Sequence, residues 1–237
     1  MISTVKIKDI LYYTNMHKTI KLNTIFYLLC LLFIPEHIYS QNESQSWTKV
    51  TFEKNMPYSF KFEFSQGLRL KENLSMFNLA FFEGAISYKT SKGFKIDVPY
   101  RYTILEDKIK HRLSIGVSFQ HTFKPITVKY RIKYYRFYEG DKFVSKDWSA
   151  FGDLVRNKVT IRYKMNDEIT PYISSEVFHL YNTDNNPFDE YRISLGIKFD
   201  LSNKNSINLF YMLKNEGVSL SNPSKINIAG FSYNSKI

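Results

Sequence analysis

Residues 58–64 read Tyr-Ser-Phe-Lys-Phe-Glu-Phe, with an aromatic ring at every second position and a polar or charged side chain between. That period of two belongs to a strand with one apolar face and one wet face. The pattern returns as Ile126, Val128, Tyr130 and Ile132 interleaved with Thr127, Lys129, Arg131 and Lys133, and again as Val159, Ile161 and Tyr163 interleaved with Lys158, Thr160, Arg162 and Lys164. No dozen-residue segment repeats with a helical period, so the chain is all-β. Strands are expected at roughly 58–70, 75–90, 94–104, 110–122, 126–138, 154–165, 168–181, 189–201, 205–215 and 225–234.

The links between these segments alternate in length. Short turns fall at 90–93, 123–125, 166–167 and 202–204, and longer links at 71–74, 139–153, 182–188 and 216–224. Short turns on one rim and long loops on the other are the habit of an antiparallel outer-membrane barrel. A soluble sandwich or lipocalin-like barrel would show the same alternation with the aromatics inside. The membrane reading gains from strand lengths that match the roughly 9–11 residues of a tilted bilayer crossing, and from Tyr and Phe crowded at strand ends. Parity favours ten antiparallel strands over residues 58–237, with twelve as the alternative. Residues 41–57 are then a periplasmic lead-in or a short strand around Trp47, ended by Asn55-Met56-Pro57.

Residues 1–40 have the order of a cleaved signal peptide: Lys18 and Lys21, an apolar run over 25–34, and Ser40 before the cut. Residues 1–15 precede that pattern and read as an over-extension, with Met16 as the alternative start. The one cysteine, Cys30, lies in the apolar run, so the exported chain is expected to hold no disulfide, thiolate or Cys-ligated metal. Export removes four lysines and two acids from the 33 and 22 of the full chain, leaving a formal charge of +9. An exported protein does not meet nucleic acid, so that charge points to outer-membrane lipid, lipopolysaccharide phosphates, a small anionic ligand or a cationic lumen. The barrel-assembly machinery is the other partner implied.

Several short motifs resemble, in order and spacing, the outer-membrane β-barrel family catalogued as domain of unknown function 2490. They are Trp47, Gln66-Gly67-Leu68-Arg69, Tyr100-Arg101-Tyr102, His111-Arg112, Lys129-Tyr130-Arg131, Arg156, Arg162-Tyr163, Glu176-Val177-Phe178, Tyr191-Arg192 with Leu195-Gly196, and Tyr211-Met212. The resemblance implies an outer-membrane barrel and supplies no activity. Where similar chains often end on an aromatic assembly signal, this one runs from Phe231-Ser232-Tyr233 on to Ile237.

With the apolar faces toward lipid, the lumen is expected to receive the bases Lys61, Arg101, Arg112, Lys129, Arg131, Lys133, Arg162, Arg192 and Lys198, with Lys89, Lys95, Lys158, Lys164 and Lys214. The acids Glu63, Glu83, Asp97, Glu176 and Asp200 join them. In a narrow barrel such charges interlock and fill the space, which gives a structural, non-conducting protein of unknown role. The alternative is that the surplus of bases makes an anion-preferring channel or binding site. Enzymatic chemistry is a weaker reading: Ser174, Ser175, Glu176 and His179 are close in sequence, but residues three apart on a strand point to opposite faces. His111 and His121 read as rim and interface side chains. No catalytic residue, metal ligand or cofactor is assigned; the Asn182–Asn186 stretch with Asp189 and Glu190 is rich in oxygen but lacks the spacing of a calcium loop. The long link at 139–153, with Phe143, Trp148 and Phe151, is expected to fold over the barrel mouth.

Overall fold

The structure is a computed structural model that describes residues 43–90, 92–139, 149–181, 188–218 and 223–237. The signal-peptide reading of residues 1–40, the 182–187 stretch and most of the 139–153 link lie outside the described residues.

Eleven strands close into one barrel in the order β1-β11-β10-β9-β8-β7-β6-β5-β4-β3-β2. They are β1 (Glu43–Asn55), β2 (Phe60–Lys71), β3 (Met76–Lys89), β4 (Phe94–Ile104), β5 (Ile109–Phe123), β6 (Ile126–Glu139), β7 (Ser149–Tyr163), β8 (Ile169–Tyr181), β9 (Phe188–Asp200), β10 (Asn205–Glu216) and β11 (Ser224–Lys236). Every consecutive pair is antiparallel. Only the seam is different: β1 pairs with β11 in parallel, from Glu43 opposite Ile226 to Glu53 opposite Lys236.

That seam corrects the expected count of ten strands. The parity rule assumes that hairpins join every neighbouring pair, so all pairs run antiparallel and the number is even. A first strand added in parallel needs no hairpin to its partner, so it escapes the rule. The lead-in is therefore a full strand of 13 residues, closed onto β2 by a turn in which Tyr58 and Ser59 both have positive φ and Phe60 N–H donates to the Pro57 carbonyl. Two left-handed central residues match the right-handed twist of the flanking strands. Trp47 obscures the length of this strand and its place in the barrel, because it puts a large ring among the polar, inward positions Gln45, Lys49, Thr51 and Glu53.

The outer surface is apolar around the barrel. Ile86 and Ile115 are 51% and 52% exposed, and Phe62, Phe64, Val98, Leu113, Ile132, Ile161, Leu195 and Leu213 stand out with them. Water would penalise such a continuous belt by about 25 cal/mol per Å², whereas hydrocarbon does not. The buried side chains are mostly inside and mostly polar: Thr51, Ser65, Ser87, Asp97, Ser118, Thr160, Ser174, Glu176 and Ser194. This inside-out arrangement is that of a membrane barrel. Ring pairs between neighbouring strands, Phe60–Tyr88 and Phe94–Phe119, lie outside near the turn rim.

One sector of the inner wall departs from this polarity. Met212, Ile226 and Ile228 form a buried apolar cluster, with Trp47 and Phe210 packed against it. Strands β10, β11 and β1 thus carry an apolar patch, with the inward charges Lys49, Glu53 and Lys214 elsewhere on β1 and β10.

Candidate functional site: the barrel interior

The interior charges are joined through shared carboxylates. Glu63 lies 2.5 Å from Lys61 and 2.9 Å from Lys95, and Lys61 also reaches Glu53 at 3.0 Å. Glu83 takes Arg101 at 2.8 Å and Arg112 at 2.9 Å. Asp97 takes Arg131 at 2.7 Å and Lys133 at 2.9 Å. Glu176, 1% exposed, holds Lys158 at 2.5 Å and Arg156 at 2.7 Å, with Arg192 at 4.0 Å. Arg192 also pairs with its strand neighbour Glu190, which Lys214 approaches to 3.5 Å. Glu53 and Glu63 balance Lys61 and Lys95, but Glu83, Asp97 and Glu176 are each outnumbered by the bases on them, so pairing does not neutralise the interior.

Other inward bases have no carboxylate at all. Among the described residues, Lys49, Arg69, Lys129 and Arg162 make no salt bridge. Lys129 and Arg162 are diagonal neighbours on β6 and β7, since Lys129 pairs with Thr160 and Arg162 with Thr127. Lys49 is exposed even though it points into the barrel. A side chain that is enclosed by the barrel yet accessible marks open space in the lumen.

The open space is a cavity of about 670 Å³, bounded by Lys49, Arg69, Arg101, Arg112, Arg156 and Arg192 among other residues. Its arginines lie against rings: Arg69 is 3.6 Å from the centre of Trp47, Arg101 3.8 Å from Phe81, Arg112 4.6 Å from Tyr135 and Arg192 4.4 Å from Phe178. Guanidinium planes stack on aromatic faces while keeping their edge N–H groups for an acceptor. Three glycines let rings lie flat on the wall. A Cβ at Gly67, Gly196 or Gly230 would overlap Phe81, Tyr172 or Phe210 respectively, each the register partner on the next strand. The rings hug the sheet, and the middle stays open.

Of the residues singled out from the sequence, Lys61, Glu63, Glu83, Asp97, Arg101, Arg112, Arg131, Lys133, Glu176 and Arg192 meet in the shared-carboxylate clusters. Lys129 and Arg162 stand beside them with no salt bridge among the described residues, while Lys198 and Asp200 bond each other at 2.5 Å. Lys164 corrects the expected phasing: it falls past the end of β7 and pairs with Asp167 in the turn, outside the lumen. Lys89, the last residue of β3, is exposed at the same rim. Arg69, Arg156 and Glu190 are interior groups that the sequence reading passed over. The alternation could have found them: Arg69 continues the parity of Lys61 and Glu63, and Arg156 that of Lys158 and Arg162.

His111, His121 and His179 occupy the outer face. His111 is 2% exposed, its Nδ1 2.7 Å from the Tyr100 hydroxyl, with Tyr102 edge-on at 5.4 Å. His121 meets Phe123 at 4.3 Å and His179 meets Phe188 at 5.8 Å. Glu176 and His179 therefore sit on opposite sides of β8. Among the described residues, no group of three His, Cys, Asp or Glu side chains is gathered for a metal ion.

Residues 44–222 match the family model described as Protein of unknown function (DUF2490). No curated protein matches the chain. Among solved structures, the fold is similar to the NanC porin, at 10% identity and TM-score 0.51, over 82% of this chain and 99% of that one. A KdgM porin in complex with disordered oligogalacturonate is similar at 11% identity and TM-score 0.47, over 78% and 89%. The beta domain of the Bordetella autotransporter BrkA is similar at 6% identity and TM-score 0.46, over 76% and 85%. The feature shared with the NanC porin is a porin-like closed barrel.

Proposed function

Because this chain belongs to the Protein of unknown function (DUF2490) family, whose description names no activity, we propose a function from its interior: a non-enzymatic outer-membrane barrel whose hydrated, cationic lumen admits small anions. The observation that carries the reading is the imbalance of charge. Carboxylates such as Glu83, Asp97 and Glu176 are each shared by more than one base, and Lys49, Arg69, Lys129 and Arg162 have none among the described residues. A water-filled passage lined by surplus fixed cations lowers the electrostatic barrier for anions and raises it for cations.

The apolar outer belt and the porin-like fold support an outer-membrane location. Lipid, lipopolysaccharide and the barrel-assembly machinery are then the partners the protein meets. The competing reading is a plugged, purely structural barrel. It draws on the buried cluster of Met212, Ile226 and Ile228 and on ion pairs that tie nearby strands along the inner wall.

Residues 41–237, folded in detergent and checked by heat-dependent gel mobility, would be placed in planar bilayers under a potassium chloride gradient. The expected result is a conductance whose reversal potential favours chloride, and the double variant Lys129→Glu, Arg162→Glu should shift that potential toward potassium. A folded barrel that carries no current would overturn the passage and return the plugged reading.

A further inference from the structure

The cavity has two unlike sides that meet at one pair of residues. Arg69 and Trp47 are register partners on β2 and β1, and the guanidinium lies 3.6 Å from the indole centre. On the β2–β5 side of them Arg101 and Arg112 line the cavity, and Arg192, on β9, reaches to 5.2 Å from the same indole. On the other side lies the apolar wall of Phe210, Met212 and Ile228, against which Trp47 packs. Arg69 has no carboxylate partner among the described residues, unlike the three arginines near it.

We infer that Arg69 is the docking point for the carboxylate of a small organic acid whose apolar body rests on the Phe210–Met212 wall. This rests on the reading of the lumen as a place that admits anions, and deepens it by naming the class. Stacking on Trp47 fixes the plane of the guanidinium, and a fixed fork meets a planar carboxylate with two parallel hydrogen bonds. Arg101, Arg112 and Arg192 are already engaged with Glu83 or Glu190, so they enrich the site in anions without competing for the same bond geometry. Chloride or phosphate could use the charge, but neither has a body for the apolar wall. A cavity of 670 Å³ falls within the range that holds small organic ligands.

The test uses benzoate on the barrel folded in detergent, with Trp148→Phe introduced so that Trp47 is the remaining tryptophan and reports on its own surroundings. Benzoate should change Trp47 emission saturably. Benzamide, the neutral counterpart, should bind far more weakly, and so should inorganic phosphate. Arg69→Gln should weaken benzoate by roughly ten- to a hundredfold, the loss that accompanies a charge-assisted pair, with gel mobility confirming the fold. Arg69→Lys should recover part of that loss, because it restores the charge without the fork. Equal binding of benzamide, equal binding of phosphate, or an Arg69→Gln barrel that binds benzoate normally would each overturn the assignment. The two proposals fail separately: a silent barrel that binds benzoate loses the passage and keeps the site, and a conducting barrel blind to benzoate does the reverse.

Discussion

Asp97 on β4 and Arg131 on β6 meet across the strand that separates them. Arg131 Nη2 donates to both Asp97 oxygens at 2.7 Å, passing over β5, where Gly116 and Ser118 are the register partners. Asp97 is nearly buried and also takes Lys133. Asp97→Asn would leave two cations facing each other with their shared anion gone. It should destabilise the barrel by about 2–4 kcal/mol. Arg131→Ala, which leaves Lys133 on the carboxylate, should cost about 1–3 kcal/mol. Lys71→Ala, at the far end of β2, should stay within about 0.5 kcal/mol. Urea unfolding in lipid vesicles measures all three, and equal effects of Arg131→Ala and Lys71→Ala would contradict the placement of Arg131 on the inner wall.

Gly116 is what makes that reach workable. A Cβ there would lie 2.7 Å from Lys133 Cγ and 3.0 Å from Asp97 Oδ1, so Gly116→Ala must push the pair apart. The expected loss is about 1–3 kcal/mol, the usual cost of overpacking. Gly84→Ala is the control, since nothing lies within 4 Å of the added carbon. Its unfolding midpoint should match the parent or exceed it.

The outward face tolerates no charge near mid-strand. Ile132 is 41% exposed and central in β6, so Ile132→Lys should cost about 2–4 kcal/mol in a bilayer. The same variant in detergent micelles, which thin and deform around a lysine, should lose less. Indifference to the substitution in vesicles would argue that this face does not meet hydrocarbon.

Much of this barrel was legible in the sequence, and the reasons for success and failure are local. Residues 58–64 announce their geometry because Phe60, Phe62 and Phe64 all turn outward while Lys61 and Glu63 bond each other within. The strands of residues 58–237 follow from that rule applied ten times. What period two does not encode is which strand lies beside which. The β1–β11 seam joins segments with no turn between them, and the inward Trp47 blurs the one alternation that could have revealed the full length of β1. The clusters were hidden for a related reason. Asp97 finds Arg131 only through the depth of a glycine on the strand between, and Arg69 finds Trp47 only because β1 is in the barrel at all.

Strand direction makes a prediction about access. The Asn73 amide donates to the Ser44 carbonyl at 3.1 Å, so the start of β1 lies at the rim that carries the longer loops. The sequence has no cysteine after Cys30, which leaves single introduced thiols unambiguous. In intact cells, Ser44→Cys and Asn73→Cys should both react with an impermeant maleimide, and Asn203→Cys, in the β9–β10 turn, should react only after the outer membrane is opened. Labelling of Ser44→Cys together with Asn203→Cys instead would put β1 in the opposite direction.

A barrel sewn entirely from hairpins can grow by adding each strand to the one before. Here that works from β1 to β11, and then the two outermost edges must find one another across most of the chain, as Asn234 does with Glu53 at a separation of 181 residues. Contacts that distant are entropically expensive and form late. Until they form, β1 and β11 each present an unpaired edge able to bond to any passing strand. The first strand of the barrel in sequence is thus the last to be sealed, and the moment of greatest hazard for this protein comes when it is almost finished.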